Sequence, residues 1–130
     1  MPHPPSKTVL LVEGSTLARL TYRAALEGRG YAVEEAGTGR EALAKAVSAV
    51  YAAVVLNLRL REMSGLGLLE AIRALRGYRT VPIIVLVGGG DAALGRWAVE
   101  RENASCLLEP FGAEDLALLA DRLIRYGPER

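Results

Sequence analysis

Three polar residues are placed where they could take part in chemistry. Glu13 follows a short apolar run, Asn57 lies at the end of another, and Glu109 follows a third. Two carboxylates held close together can act as a general acid and a general base. Neither a nucleophile nor a catalytic histidine accompanies Glu13 and Glu109, since the only histidine is His3 in the N-terminal segment. An acid–base enzyme is therefore the weaker interpretation. Asn57 is either a satisfied polar residue at a strand end or a ligand contact.

The three consecutive glycines 88–90 invite comparison with a phosphate-binding loop. The segment lacks the Gly-x-x-x-x-Gly-Lys pattern and follows the fourth apolar run instead of the first. The turn after the first run also lacks Gly-x-Gly-x-x-Gly, and nothing marks a flavin-binding loop. We expect a mobile loop here and no nucleotide or flavin site.

Short apolar runs alternate with amphipathic stretches along the whole chain. The run 9–12 is apolar at every position, as in a strand covered on both faces. Further strands are predicted at 31–35, 53–58, 83–87 and 105–108.

The helices between and after these strands are predicted from apolar stripes. In chain order the stripes are Leu17, Leu20 and Ala24; Leu43, Ala46, Val47 and Val50; Leu69, Ile72 and Leu75; Leu94, Trp97, Ala98 and Arg101; and Leu116, Leu119, Ala120 and Leu123. Thr38 and Glu41 have the spacing of a capping box, and Asp91 could cap the fourth helix. Five such β-α units predict a parallel sheet with helices on both faces, with its chemistry at the carboxyl ends of the strands.

Composition excludes several classes of protein. The chain has 130 residues, of which 51% are hydrophobic and 24% charged, as in one soluble globular domain. A net charge of +1 favours neither nucleic acid nor a membrane surface, and the arginines at 73, 76 and 79 suggest one solvated helix end. Cys106 is the only cysteine, so no internal disulfide can form. We expect a flexible tail at 1–6, a domain at 7–126, a second tail at 127–130 and a cytoplasmic location.

The ordered set of segments resembles the receiver domains of bacterial response regulators. The Glu-Pro-Phe after the fifth strand is similar to the Lys-Pro-Phe of that family, and the stretch from Asn57 to Gly65 is similar to its Asp-Leu-x-Met-Pro-x-Met-x-Gly. The resemblance runs from about Lys7 to Arg125. It implies a flavodoxin-like (βα)5 fold with strand order 2-1-3-4-5. The segments that carry it are 9–15, 30–36, 39–43, 54–65, 82–87 and 108–111.

The resemblance also implies a site, and this chain departs from it at almost every position. Receivers hold Mg²⁺ with two acidic residues after the first strand, where this chain has Glu13 and Gly14. Asn57 occupies the place of the phospho-accepting aspartate. Val87 replaces the hydroxyl residue after the fourth strand, and Glu109 replaces the lysine after the fifth. In addition, Cys106 takes the place of the aromatic switch residue.

These departures agree in their chemical consequences. Phosphoryl transfer depends on positioning and charge neutralisation, and Mg²⁺ prefers anionic oxygens in near-octahedral geometry. Gly14 and Asn57 remove two of three carboxylates, Val87 has no hydroxyl to donate, and Glu109 would repel a phosphate. We therefore expect Mg²⁺ binding to be lost or weak, with no other cofactor. Because the helper residues are gone as well as the nucleophile, we interpret Asn57 as a natural change.

Two further hypotheses concern the surroundings of this site. Arg59, two residues beyond Asn57, is the best candidate for a cation that replaces the metal, by pairing with Glu13 or Glu109. Trp97 is the only tryptophan. It either covers the edge of the core or anchors a partner on the face that receivers form from their fourth helix, fifth strand and fifth helix. We assign Trp97, Arg101, Leu118 and Arg122 to that partner face.

The leading functional hypothesis is a non-enzymatic, phosphorylation-independent pseudo-receiver of two-component signalling. It would bind a protein partner, such as a histidine kinase or another receiver, or a second copy of itself. Two alternatives remain open: an active receiver with an unconventional phosphoacceptor, and the input domain of a longer transcriptional regulator. We expect no nucleic acid to bind through this domain and no membrane contact.

Overall fold

The computed structural model describes residues 7–127, and the predicted tail 1–6 and the last three residues of the chain lie outside this range. Five strands alternate with five α-helices in the described part: β1 Thr8–Val12, α1 Thr16–Gly28, β2 Ala32–Ala36, α2 Gly39–Ser48, β3 Ala53–Asn57, α3 Gly65–Arg73, β4 Ile83–Val87, α4 Ala92–Glu102, β5 Ser105–Leu108 and α5 Ala113–Tyr126. A 3₁₀ turn at Gly89–Asp91 leads directly into α4. No helix within residues 7–127 has both the length and the apolarity needed to cross a bilayer.

The strands form one parallel sheet in the order β2-β1-β3-β4-β5. This confirms the predicted flavodoxin-like topology. Alternate residues of each buried strand point to opposite faces of the sheet, so two cores form. One contains Leu10, Val54 and Val85 beneath α2, α3 and α4, and the other contains Val9 and Leu11 beneath α1 and α5.

The predicted stripe of α1 is wrong. Leu17 and Leu20 are 74% and 59% exposed, and the buried residues of the helix are Ala25 and Leu26. A competing stripe through Ala18, Tyr22, Ala25 and Leu26 has equally good helical spacing, and the sheet selects it. Periodicity alone cannot choose between two such stripes.

Two other helices each include a stripe residue that the structure exposes. Val47 of α2 is 70% exposed and Leu94 of α4 is 43% exposed, whereas Ala46 and Ala98 are buried as predicted. Both helices bury mainly small residues, so each covers the sheet with a narrow strip of alanine and glycine. The stripes of α3 and α5 are confirmed in their buried members.

Arg73 is not part of a solvated helix end, contrary to the sequence prediction. Its guanidinium donates to five backbone carbonyls, at 2.7–3.4 Å, in the segments after α3 and at the end of α4: those of Tyr78, Arg79, Val81, Glu102 and Asn103. Burial lowers the pKa of Arg73. The side chain therefore joins α3 to α4 by satisfying carbonyls that neither helix can satisfy itself.

Tyr78 is a second polar link inside the core, because its side chain is completely buried. Its hydroxyl donates to the carbonyl of Ala49 at 2.6 Å and accepts from the amide of Tyr51 at 3.2 Å. The loop after α3 is thus fixed to the segment that precedes β3.

We predict that Tyr78→Phe lowers the free energy of unfolding by about 1–3 kcal/mol, because it removes the hydroxyl that pairs the buried amide of Tyr51 and the partly buried carbonyl of Ala49. Urea unfolding measures the effect. The matched control is Tyr126→Phe, since Tyr126 is 79% exposed. Equal stability of the two variants would show that the Tyr78 hydroxyl contributes little.

Candidate functional site

The candidate site lies where β1, β3 and β4 end. The register pairs Val12 with Leu56, and Asn57 with Leu86, so the residues after these strands meet at one edge of the sheet. The structure brings Glu13 and Asn57 together there, as the sequence analysis predicts. Parallel pairing is the cause, because it places all carboxyl ends on the same side.

Glu13 and Asn57 are directly hydrogen-bonded. The Nδ2 of Asn57 donates to Oε1 of Glu13 at 2.8 Å, and the amide of Ser15 donates to Oε2 at 3.0 Å. The Oδ1 of Asn57 accepts from the amide of Arg59 at 2.8 Å. Glu13 is only 5% exposed, so its carboxylate is a buried group whose two oxygens are both occupied by neutral donors.

Arg19 is the cation nearest to this pair, and the sequence analysis missed it. Its Nη1 donates to the carbonyl of Glu13 at 2.6 Å, and its Nε donates to Glu35 at 3.0 Å. Hydrogen bonds from Arg23 and then from Arg19 lower the pKa of Glu35. No motif marks this cluster, because it depends on the pairing of β1 with β2 and on the rotation of α1.

The two remaining pocket positions differ in burial. Val87 is completely buried, whereas Glu109 is exposed and its amide donates to the carbonyl of Val87 at 2.8 Å. The Glu109 carboxylate lies near Gly88, where an added Cβ would be 3.5 Å from Oε1. Burial raises the pKa of Tyr22 on α1, and the charges of Glu13 and Glu109 raise it further. Both carboxylates are therefore close enough to Tyr22 to disfavour ionisation of its hydroxyl.

Arg59 does not fill the role predicted for it. It pairs with neither Glu13 nor Glu109 and instead contacts Asp91, with Nε to Oδ2 at 2.8 Å and Nη2 to Oδ1 at 3.4 Å. Because its backbone amide is bound to Asn57, the side chain extends out of the pocket and is 76% exposed. Hydrogen bonding to Asp91 is the main cause of its raised pKa, and the distant charge of Glu109 contributes least.

Asp91 consequently does not cap α4 as predicted, and it forms no side-chain hydrogen bond to the helix. The capping box at Thr38 is nearly as expected: its hydroxyl accepts from the amide of Glu41 at 3.1 Å. The returning bond from the Glu41 carboxylate goes to the amide of Gly37, one residue earlier than the standard motif.

Two glycines at this edge have opposite roles. A Cβ at Gly65 would lie 2.4 Å from the Cα and carbonyl oxygen of Leu58, so only glycine allows α3 to begin so close to the strand end. Gly14 is exposed, and a Cβ there would meet only the carbonyl of Gly37 at 3.8 Å. Space is therefore available at Gly14 for a larger side chain.

These donors differ from those that Mg²⁺ prefers. One buried carboxylate already accepts two hydrogen bonds, Gly14 supplies no side-chain oxygen, and Asn57 supplies a neutral amide. Within residues 7–127, no three or more His, Cys, Asp or Glu side chains come together in a group suited to a metal ion. The residues present do not fit the metal of an active receiver.

Cys106 of β5 packs against α4. A Cβ at Gly95 would lie 2.8 Å from its sulfur, so the helix approaches β5 closely at this point. Burial raises the pKa of the thiol, which disfavours the reactive thiolate. Beside it lies an apolar groove of about 250 Å³, lined by Ala92, Arg96, Val99, Glu100, Cys106 and Leu108.

Trp97 and Arg101 do not line this groove, and their assignment to the partner face stays a prediction. Successive helical residues are about 100° apart, so Trp97 is turned about 100° from Arg96 and about 160° from Val99. Trp97 is half-buried on the other flank of α4, with the Arg101 guanidinium 5.8 Å from its ring centroid.

The assignment of two α5 residues to that face also stays a prediction. Leu118 is 42% exposed, and Arg122 is exposed one turn later. Their neighbour Leu119 lines a second groove, of about 370 Å³, on the α5 side of β5.

A parallel sheet in this order, with these positions after β1, β3, β4 and β5, defines a receiver domain. The chain matches the family described as "Response regulator receiver domain" over residues 9–121 and belongs to that family. It is therefore a receiver domain of two-component signal transduction. Domains of this family are generally non-enzymatic signalling modules that interact with histidine kinases and other proteins.

The chain is similar to several named proteins. It is 38% identical over 119 residues to the acid tolerance regulatory protein ActR of Rhizobium meliloti, covering 91% of this chain and 60% of the relative. It is 31% identical over 117 residues to the transcriptional regulatory protein ResD of Bacillus subtilis, covering 90% and 48%. The chemotaxis protein CheY4 of Vibrio cholerae is 30% identical and superimposes with a TM-score of 0.80, covering 88% and 96%. The chain thus spans only about half to three-fifths of the two regulators.

We predict that Asn57→Asp destabilises the domain increasingly as the pH rises. The new carboxylate would lie within hydrogen-bond distance of the buried Glu13, so one pKa of the pair would be raised in the folded state. A raised folded-state pKa gives stability that is complete below the unfolded pKa and is lost as the pH passes the folded one. Urea unfolding in EDTA from about pH 4 to about pH 8 should therefore show that the free energy of unfolding of Asn57→Asp falls further below that of the wild type as the pH rises.

The control for this experiment is Asn57→Ala, which removes the donor but adds no charge. The difference in free energy of unfolding between Asn57→Ala and the wild type should change little over the same pH range. A constant deficit for Asn57→Asp would mean that the two carboxylates separate on substitution.

Proposed function

We propose that this receiver domain is a pseudo-receiver: a protein–protein interaction module whose activity does not depend on phosphorylation. The observation that carries the proposal is the hydrogen bond between Asn57 and the buried carboxylate of Glu13. An amide carries no anionic oxygen to attack phosphorus. Here the amide is also already held on both sides, because Nδ2 donates to Glu13 and Oδ1 accepts from Arg59.

The charges around the pocket support the same conclusion. An incoming phosphoryl group needs cations to neutralise it. The buried carboxylate of Glu13 is bonded directly to Asn57, and Glu109 adds a second carboxylate after β5, where the family has a lysine. The nearest guanidiniums are engaged elsewhere, Arg19 with Glu35 and Arg59 with Asp91. We infer that Mg²⁺ binding is lost or weak and that acetyl phosphate finds no acceptor.

The surface that we assign to the partner is the α4–β5–α5 face, defined by Val99, Cys106, Leu108, Leu119 and Leu118. Val99 and Cys106 line both grooves that flank β5. Val99, Leu108 and Leu118 are each exposed by more than two-fifths. Exposed apolar residues around such grooves are typical of protein-binding surfaces. The occupant would be a histidine kinase, another receiver or a second copy of this chain.

A second candidate function is the input domain of a longer transcriptional regulator. The lengths of the relatives favour it, because the chain covers 60% of ActR and 48% of ResD. ActR is named for acid tolerance regulation and ResD for transcriptional regulation. In that case the α4–β5–α5 face would bind another part of the same regulator or a second copy of it. The loss of phosphorylation applies equally to both candidates.

The phosphorylation prediction is that the wild-type domain, incubated with acetyl phosphate and Mg²⁺, gains no phosphoryl mass, and that beryllofluoride leaves its melting temperature unchanged. Asn57→Asp alone should also gain no phosphoryl mass, because Glu109 and Val87 remain. The quadruple variant Gly14→Asp, Asn57→Asp, Val87→Thr and Glu109→Lys should gain the phosphoryl mass. Space for the first change exists beside Gly37.

Intact-protein mass spectrometry distinguishes the proposal from its rival. A phosphoryl adduct on the wild-type domain would establish an active receiver with an unconventional acceptor and would overturn the proposal. Circular dichroism of the quadruple variant shows whether a negative result there reflects misfolding.

We predict that Val99→Glu abolishes partner binding without lowering the melting temperature, because it places a charge between the two grooves. The matched control is Val47→Glu, since Val47 is 70% exposed on α2, far from β5. The binding is measured as the amount of partner protein retained by the immobilised wild-type, Val99→Glu and Val47→Glu domains, each with and without acetyl phosphate. Retention of the same proteins by Val99→Glu, or dependence of retention on acetyl phosphate, would contradict the proposal.

A further inference from the structure

Asp91 is held in a position that leaves α4 without a side-chain cap. It precedes the first residue of the helix, and aspartate at this place ordinarily accepts from the second or third helical amide. In the structure its carboxylate instead pairs with Arg59 and makes no hydrogen bond to α4. The Asp91 side chain is only 16% exposed, so the ion pair shields it from water.

The backbone around Asp91 is arranged for a change of position. Its ψ of 22° continues the 3₁₀ turn into the helix, and its amide donates to the carbonyl of Gly88 at 3.0 Å. A capping residue has extended backbone instead. Glycines 88–90 precede it, and a Cβ at Gly89 or Gly90 would contact nothing within 4 Å. The segment therefore has the space and the backbone freedom to open the turn.

An ion pair with a largely exposed arginine and an N-cap each contribute modestly to stability, so the two interactions open to Asp91 are of similar size. Such a balance is easily shifted by a ligand that prefers one state. Most of the Arg59 guanidinium faces solvent, at 76% exposure, so an anionic group can reach it without disturbing the core.

We propose that Asp91 is a two-position switch residue. In one position it pairs with Arg59, and in the other it caps α4 after an anionic side chain of a partner has taken Arg59. The inference rests on the proposed function, because Ala92 and Arg96, which would move with the start of α4, line the groove of the α4–β5–α5 face. Recognition of an acidic partner segment by Arg59 would thereby reshape the groove that binds the rest of the partner.

Hydrogen exchange of the isolated domain tests this switch without a partner or a phosphate donor. Arg59→Gln should slow exchange at the amides of Ala93 and Leu94 by about fivefold, the effect of a typical N-cap. If the Arg59–Asp91 ion pair only stabilised the loop, Arg59→Gln would speed exchange at these amides, because the start of α4 would fray once the pair was lost. The matched control is Arg61→Gln, an exposed arginine of the same loop, which should change nothing.

Two further measurements make the result specific. In an Asp91→Ala background, Arg59→Gln should no longer slow exchange, because the cap is absent. Raising NaCl to about 1 M should slow exchange in the wild type and leave Arg59→Gln unchanged, because salt screens only an existing exposed pair.

Unchanged or faster exchange at Ala93 and Leu94 in Arg59→Gln would overturn the switch. That outcome would leave the proposed function intact, because the pseudo-receiver proposal depends on Asn57 and the phosphorylation assay. Conversely, a phosphoryl adduct on the wild type would overturn the proposed function without affecting the exchange result.

Discussion

The buried carboxylate of Glu13 is the constraint on which the candidate site depends. A charged group that is 5% exposed at the end of a central strand must be compensated, by a metal, a cation or hydrogen bonds. In this chain the compensation comes from neutral donors, the side-chain amide of Asn57 and the backbone amide of Ser15. Asn57, at the position where the resemblance places the phospho-accepting aspartate, is therefore the group that makes the remaining acid tolerable. Of the two alternatives that the sequence left open for Asn57, the structure shows the satisfied polar residue, and a ligand contact stays a prediction.

Two arginines contact this pair and connect it to its surroundings. The amide of Arg59 holds the oxygen of Asn57, and this directs the Arg59 side chain away from the pocket to Asp91. On the other side, Arg19 holds the carbonyl of Glu13 and ties β1 to Glu35 on β2. A continuous series of hydrogen bonds thus runs from β2 to the start of α4. One end of this network, the side chain of Arg59, is exposed to solvent.

Polar links play a similar role away from the pocket. Tyr78 and Arg73 are enclosed side chains whose donors satisfy backbone carbonyls in the segments between elements. Because every buried carbonyl needs a hydrogen-bond donor, these two side chains allow the helices to approach the sheet closely. Gly65 and Gly95 allow the closest of these approaches, against Leu58 and Cys106.

The fold and the membership of the pocket could be predicted from the sequence by itself. Parallel strands buried on both faces are apolar at every position, and their carboxyl ends must meet, so Glu13, Asn57, Val87 and Glu109 could be placed together without coordinates. Helix rotation could not be predicted for α1, where two stripes have the same spacing and only the sheet decides that Leu17 and Leu20 face outward.

Tertiary structure alone decided the partners of the charged side chains. Arg59 could reach several acids, and the hydrogen bond at its backbone amide selected Asp91. Arg19 and Arg73 had no motif, because their acceptors come from segments distant in the chain or from backbone carbonyls that carry no sequence signal. The positions of the strands and helices follow from local pattern, which is written in consecutive residues, and the strand order was implied by the resemblance to receiver domains. A long flexible side chain binds the acceptor that the completed fold brings within its reach. The positions of such acceptors depend on the tertiary structure.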